Sequence, residues 1–247
     1  MNILGIIPAR YASSRFSGKP LADINGKSMI QRVYEQATKA LKHVVVATDD
    51  KRIFDKVKSF DGEVVFTSEK HQSGTDRCVE ALKLFSEQKT QEFDIVVNIQ
   101  GDEPLISPIA IKELITAFED DRTDIATLVN KQNYSENLNN TNLVKVVIKI
   151  SGIASYFSRN LIPFVRNIED KASIQFHTHL GIYAYKSNIL KEISELKESN
   201  SEFAEKLEQN RWLDNDYTIK TITTKYSSIG VDTKNDIKKI LELLNEK

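Results

Sequence analysis

Hydrophobic positions along the chain fall into strand-length runs separated by segments of helical period. Ile3 to Ile7 is a short, almost continuous apolar run closed by Pro8, the pattern of a buried parallel strand. From Ser28 to Leu41, Ile30, Val33, Ala37 and Leu41 recur at helical spacing. Val44 to Ala47 gives a second strand, ended by Thr48-Asp49-Asp50, and a second helix covers about Lys51 to Phe60. Glu63 to Phe66 forms a short third strand. Ser73-Gly74-Thr75-Asp76 has the form of a helix start, and Cys78, Leu82 and Phe85 share one face of the helix it opens. Phe93 to Ile99 is another buried strand, broken by Gly101-Asp102-Glu103-Pro104, and Pro108 can open a helix running to about Phe118. This alternation predicts an α/β sheet with ligand loops at the strand ends.

The rhythm then changes. Ile125 to Val129 and Val144 to Ile150 read as strands on either side of a polar, loop-like Asn133 to Asn142, and His179 to Tyr185 resumes the strand pattern. Ser187 to Lys197 and Glu202 to Leu213 read as two helices. An alternating strand from Tyr217 to Thr223 comes next, and a last helix runs from near Asp232 to Leu244. The closely spaced strands point to an inserted or appended lobe.

Composition excludes several classes. The formal charge is -1, from 34 basic and 35 acidic residues, so nothing suggests a duplex-binding surface or a polybasic membrane contact. The single cysteine, Cys78, excludes an internal disulfide and a cysteine metal cluster. The first apolar run is too short to span a membrane and lacks the parts of a secretory signal, which predicts a cytoplasmic protein without direct membrane insertion.

The segment from Ile7 to Pro20 carries the clearest chemistry. Arg10, Arg15 and Lys19 accompany Ser13, Ser14 and Gly18 directly after the first strand. Backbone N–H groups in such a turn can form an anion nest, while guanidinium forks and an ammonium neutralise phosphate oxygens. Two familiar phosphate loops do not fit. The dinucleotide-binding glycine pattern is absent after Ile7, and a phosphate loop ending at Gly26-Lys27-Ser28 would need glycine where Leu21 stands. Asn25-Gly26 reads instead as a turn.

The stretch Ile7-Pro8-Ala9-Arg10 through Gly18-Lys19-Pro20-Leu21 is similar to the opening of 3-deoxy-manno-octulosonate (Kdo) cytidylyltransferases, the CMP-Kdo synthetases. Further matches appear in order: Val46-Ala47-Thr48-Asp49, His71-Gln72-Ser73-Gly74-Thr75-Asp76-Arg77, and Val97-Asn98-Ile99-Gln100-Gly101-Asp102-Glu103-Pro104. Later ones are Val144 to Val147, Tyr156-Phe157-Ser158-Arg159, His179 to Tyr183, Leu207-Glu208-Gln209 and Gly230-Val231-Asp232-Thr233. The resemblance spans essentially the whole chain.

It implies an α/β nucleotidyltransferase-like three-layer fold, with a mostly parallel or mixed central sheet and a smaller β-rich dimerisation and sugar-binding region. One domain over 1–247 would comprise a nucleotide-binding portion (about 1–125), a sugar-binding, dimer-associated portion (about 126–225), and a return to the metal site with a closing helix (226–247). It further implies a homodimer that makes CMP-Kdo and pyrophosphate from CTP and Kdo, with Mg2+, for lipopolysaccharide biosynthesis. Carried across, Arg10, Ser13, Arg15 and Lys19 would contact the triphosphate, and Arg77 and Gln100 would hold the nucleotide. Asp102 and Asp232 would bind magnesium and, with Lys19, form the catalytic set. Arg166, His179, Tyr183, Glu208 and Gln209 would surround the sugar acid.

The residue chemistry is compatible with these roles. Two aspartates in loops give a hard cation hard oxygen ligands, with phosphates and waters completing its shell; either could equally cap a turn. His179 and Tyr183, four apart in a strand, share a face. Departures from the family pattern are Ser17 and Ser28 in place of prolines, Asn210 in place of leucine, and Ser227-Ser228-Ile229 before Gly230. They bear on the sugar pocket more than on the reaction. The alternatives are a cytidylyltransferase for a modified Kdo or sialic acid, transfer to a sugar 1-phosphate, and a noncatalytic nucleotide-sugar-binding protein.

Overall fold

The structure, a computed structural model, describes residues 1–12, 16–71, 73–227 and 229–245. The chain forms two compact units, one of Met1–Lys112 with Ser228–Lys247, the other of Glu113–Ser227. The boundaries at 112/113 and 227/228 compare with about 125/126 and 225/226 implied by the resemblance. The protein is mixed α/β, with parallel and antiparallel strand pairs.

In the first unit, β1 (Ile3–Ala9) is followed by a 3-10 turn (Lys19–Leu21) and a hairpin of β2 (Asp23–Ile24) and β3 (Lys27–Ser28). Asn25 and Gly26 form its turn, both at positive φ. Then come α1 (Met29–Thr38), β4 (His43–Thr48), α2 (Lys51–Lys58), β5 (Val64–Phe66), α3 (Gly74–Lys89) and β6 (Ile95–Asn98). All pairings in the order β6-β1-β4-β5 are parallel. Leu4, Ile6 and Ile7 of β1 are fully buried, as a strand covered on both faces requires. α1 and α3 pack on β1 and β4, and α2 on β4 and β5. α3 begins with the expected cap: Ser73 Oγ accepts from the Asp76 N–H at 3.0 Å, and the Asp76 carboxylate accepts from the Ser73 N–H at 3.2 Å. Cys78 lies on the buried face of this helix.

The helix opened by Pro108 is shorter than predicted. α4 (Pro108–Ile115) tightens into a 3-10 turn (Thr116–Glu119) and leads into the second unit. There the strands are β7 (Ile125–Gln132), β8 (Lys145–Ile148), β9 (Ala154–Ser158) and β10 (Phe176–Lys186), followed by α5 (Ser187–Ser194), α6 (Asn200–Glu205), α7 (Glu208–Asp214) and β11 (Ile219–Thr223). β7 pairs with β11 in parallel and with β10 antiparallel, while β8 pairs antiparallel with both β10 and β9.

Two features of this unit escape the apolar pattern. β9 occupies Ala154–Ser158, where the pattern predicts no strand. The pattern predicts one helix over Glu202–Leu213, but Lys206 takes the left-handed conformation (φ 51) and divides α6 from α7. Polar groups explain both. The fully buried Asn210 side chain donates to the Phe157 carbonyl at 3.0 Å and accepts from its N–H at 3.3 Å, so an amide completes the hydrogen bonding of β9. Glu202 and Arg211 form a forked ion pair (2.6 and 2.7 Å) that joins α6 to α7 across the break.

The last helix, α8 (Lys234–Asn245), belongs to the first unit. Ile240 and the preceding Val231 are buried in a cluster with Phe16, Ile24 and Met29, and Ile237, Leu241 and Leu244 pack against it. This apolar seat draws the segment around Asp232 back to the residues that follow β1.

Candidate active site

A cleft in the first unit is lined by Pro8, Ala9, Arg10, Ala12, Lys19, Pro20, Gln100, Gly101 and Asp102. Its walls are the segments that follow β1 and β6. The chain progresses from β1 to β4 on one side, while β6 lies on the other, so this is a topological switch point of the parallel sheet. Close backbone approach shapes it: a Cβ at Gly101 would lie 2.8 Å from the Pro8 carbonyl oxygen, so only glycine fits there without displacing the chain. Gly18, at φ 73, is tied to Tyr11 by its N–H donating to the Tyr11 carbonyl at 2.9 Å. That turn delivers Lys19 to the cleft.

Lys19 joins segments far apart in sequence. Its ammonium donates to Asp102 Oδ2 at 2.7 Å and to the Val231 carbonyl at 2.9 Å, and lies 3.8 Å from Asp232 Oδ1. The Val231 N–H in turn donates to the Asp102 carbonyl at 2.9 Å. Both aspartates expected at a metal site therefore meet on one cation. Among the described residues no group of three or more His, Cys, Asp or Glu side chains could hold a metal. The donor set fits a hard cation such as Mg2+, which takes one or two carboxylates and draws its other ligands from phosphates and water.

Arg10 and Gln100 are in the same cleft. The Arg10 guanidinium donates to the backbone carbonyls of His71 and, at 3.4 Å, Ser73. Burial lowers its pKa from the ordinary arginine value and the nearby Arg77 adds to this, while Asp49 and Asp76 oppose it; the group stays charged. Ser13 and Arg15 lie outside the described residues. Arg77 differs from expectation. Its side chain is fully buried and absent from the cleft wall, with its two terminal nitrogens donating to Thr67 Oγ1 at 2.6 Å and Asp49 Oδ2 at 2.5 Å. Asp49 and Thr67 follow β4 and β5, so Arg77 ties strand ends together in this structure. Its partners are hidden in the sequence because Thr48-Asp49-Asp50 reads equally well as a strand stop.

The residues expected around the sugar belong to the second unit. The His179 and Tyr183 rings are 5.2 Å apart, and a two-residue irregularity in β10 between Leu180 and Tyr183 preserves their common face. His179 Nε2 lies 3.0 Å from Thr127 Oγ1, and Phe157 packs edge-on against its ring. Tyr183 also meets Trp212 of α7, edge to face at 5.1 Å. Burial raises the Tyr183 phenol well above its ordinary pKa, and the Glu208 charge adds to this. Gln209 is buried on α7. His179, Tyr183, Glu208 and Gln209 are thus brought to the β10–α7 region. Arg166, in contrast, is exposed between β9 and β10. Of the residues that support this group, Asn210 is marked in the sequence only by standing in place of the family's leucine, and Thr127 only by being polar within an apolar strand.

Burial drives the His179 pKa down to about 3 from 6.5. Between these values the unfolded chain binds a proton that the fold excludes, so stability falls as pH falls, by at most about 1.4 kcal/mol per pH unit. Urea unfolding at about pH 7 and about pH 5 should show wild type losing more stability than His179→Gln. Equal losses would remove His179 as the cause.

A cytidylyltransferase family model matches residues 4–222. A 3-deoxy-manno-octulosonate cytidylyltransferase of Parabacteroides distasonis is 51% identical, with 99% of this chain and 98% of that protein covered. The protein of the same name in Bacteroides thetaiotaomicron is 49% identical over 100% of both. A solved structure of CMP:2-keto-3-deoxy-manno-octonic acid synthetase complexed with CTP superposes with a TM-score of 0.91, at 39% identity, covering 100% of this chain and 99% of that one. On this combination of full-length identity, family match and fold, the chain belongs to the 3-deoxy-manno-octulosonate cytidylyltransferase family.

Proposed function

We propose that this enzyme transfers CMP from CTP to Kdo, forming CMP-Kdo and pyrophosphate for lipopolysaccharide biosynthesis. The observation that carries this reading is the meeting of Asp102 and Asp232 on Lys19, at a cleft that Lys19 and Asp102 line together with Arg10 and Gln100. The sugar's anomeric hydroxyl attacks the α-phosphorus of CTP and gives up its proton to solvent, the bond from that phosphorus to the oxygen bridging to the β-phosphate breaks, and pyrophosphate leaves opposite. Such transfer needs alignment and charge stabilisation more than a protein nucleophile.

Lys19 and Arg10 neutralise the phosphate oxygens, and Gln100 offers both a donor and an acceptor to the nucleotide. Asp102 and Asp232 would hold Mg2+, which when bound neutralises phosphate charge and lowers the proton affinity of a nearby hydroxyl. His179, Tyr183, Glu208 and Gln209 supply polar contacts to the sugar hydroxyls, and Arg166 offers a cation for its carboxylate. His179 is a neutral hydrogen-bonding group here, since its pKa of about 3 leaves it uncharged near neutrality. The working form is a homodimer in the cytoplasm. Among the described residues no helix is long and apolar enough to cross a membrane.

The decisive experiment offers the purified protein CTP and Mg2+ with Kdo, an amino-substituted Kdo or sialic acid, and detects nucleotide sugars by mass. CMP-Kdo should form fastest, with equimolar pyrophosphate. Efficient synthesis of another CMP-sugar without CMP-Kdo would overturn the substrate assignment. Binding of CTP without any transfer would favour a noncatalytic protein.

A further inference from the structure

Lys19 holds a position that binding a phosphate does not require. Its ammonium is surrounded by Asp102 Oδ2 at 2.7 Å, the Val231 carbonyl at 2.9 Å and Asp232 Oδ1 at 3.8 Å. These oxygens come from the two segments proposed to hold the divalent ion, and they are the hard donors that such an ion prefers. An ammonium and a dication placed between the same two carboxylates repel each other strongly. One must leave before the other can be held well.

The flexibility lies on the lysine side. Asp102 and the segment carrying Asp232 are tied by the Val231 N–H to the Asp102 carbonyl, and Val231 is buried in the core beneath α8. Lys19 carries its charge on a four-carbon stem that can swing without moving the backbone. It also lines the same cleft as Arg10 and Gln100, where a polyphosphate would enter. With the ammonium in place, the paired carboxylates present one unit less negative charge to an incoming dication than they do without it.

We propose that Lys19 is the internal counter-ion of the two aspartates, and that the triphosphate draws it away to open them. The nucleotide thus binds before the divalent cation or together with it. This inference rests on Asp102 and Asp232 being the metal ligands. It gives Lys19 two successive partners, carboxylates in the free protein and phosphate in the complex. Linkage is reciprocal, so the nucleotide strengthens cation binding by the same factor that the cation strengthens nucleotide binding.

The test measures Mn2+ binding by electron paramagnetic resonance, with Mn2+ alone and with Mn2+ plus a methylene-bridged, unreactive CTP analogue. Without nucleotide, Lys19→Met and Lys19→Gln should each bind Mn2+ about tenfold more tightly than wild type, equivalent to ~1.4 kcal/mol. The enhancement of Mn2+ binding by the analogue, corrected for Mn2+ held by free analogue, should shrink by a similar factor. Unchanged or weaker nucleotide-free binding in either variant, once its melting shows it folded, overturns the counter-ion role. The underlying metal assignment is read separately with Asp102→Asn. If that variant binds Mn2+ in the analogue complex as well as wild type does, Asp102 is not a ligand.

Discussion

Replacing Asp102 with asparagine is expected to lower kcat about a thousandfold while leaving the protein folded. The change is nearly isosteric and retains one carbonyl oxygen able to accept from Lys19, so the local packing survives. The Lys19–Asp102 pair is partly solvated, with side-chain exposures of 17% and 34%, and such pairs contribute no more than about 1 kcal/mol to stability. The kinetic loss has a different source. Removing the charge weakens the hold on a dication at the point where negative charge builds on the transferring phosphoryl group. Steady-state kinetics with CTP and Kdo, alongside urea unfolding, separates the two effects. Turnover within tenfold of wild type, with Mg2+ saturating, would remove Asp102 from the chemistry.

The first half of the fold is readable in the sequence because its strands are buried on both faces. Ile3 to Ile7 and Val44 to Ala47 are almost unbroken apolar runs, Phe93 to Ile99 is interrupted by Asp94 and Asn98, and each lies in or around a parallel strand. Local polar grammar is equally direct: Ser73 to Asp76 caps α3, and Asn25-Gly26 turns the β2–β3 hairpin. The second unit is less legible, since its structure depends on side chains serving backbone groups. Asn210 supplies Phe157 with the partners of a missing strand neighbour, and no periodicity announces this. Lys206 breaks a run that otherwise looks helical, because its left-handed conformation is imposed by the packing of α6 and α7 rather than by glycine.

For the site, adjacency to strand ends is the useful signal. Arg10, Lys19, Gln100 and Asp102 all follow β1 or β6, and all line the cleft. Asp232 cannot be placed by any local rule. Its nearness to Lys19 comes from the apolar face of α8 seating Ile240 and Val231 among Phe16, Ile24 and Met29, a contact between the two ends of the chain. The type of a charged residue is a poor guide to its exposure. Arg10 and Arg77 are both expected to contact the nucleotide, yet of the two Arg10 lines the cleft, and Arg77 is held by Asp49 and Thr67.

That distinction gives the largest expected change in stability. Arg77→Met should destabilise the protein by about 3 kcal/mol, because it leaves Asp49, largely buried at 16% exposure, without its counter-charge. Thr67 Oγ1 loses its donor as well. One term works in the opposite direction: the Arg77 Nε–H is buried without a hydrogen-bond partner among the described residues, and methionine removes that penalty. Arg77→Lys preserves the charge but cannot serve Asp49 and Thr67 with a planar fork, so it should fall between methionine and wild type. Adding Asp49→Asn to Arg77→Met should restore about 2 kcal/mol, since no uncompensated charge then remains inside. A direct nucleotide ligand would behave differently, raising the KM for CTP in a protein of unchanged unfolding midpoint, with no recovery on changing Asp49. The paired unfolding and kinetic measurements therefore decide whether this arginine holds the strand ends beneath the cleft or binds the nucleotide within it.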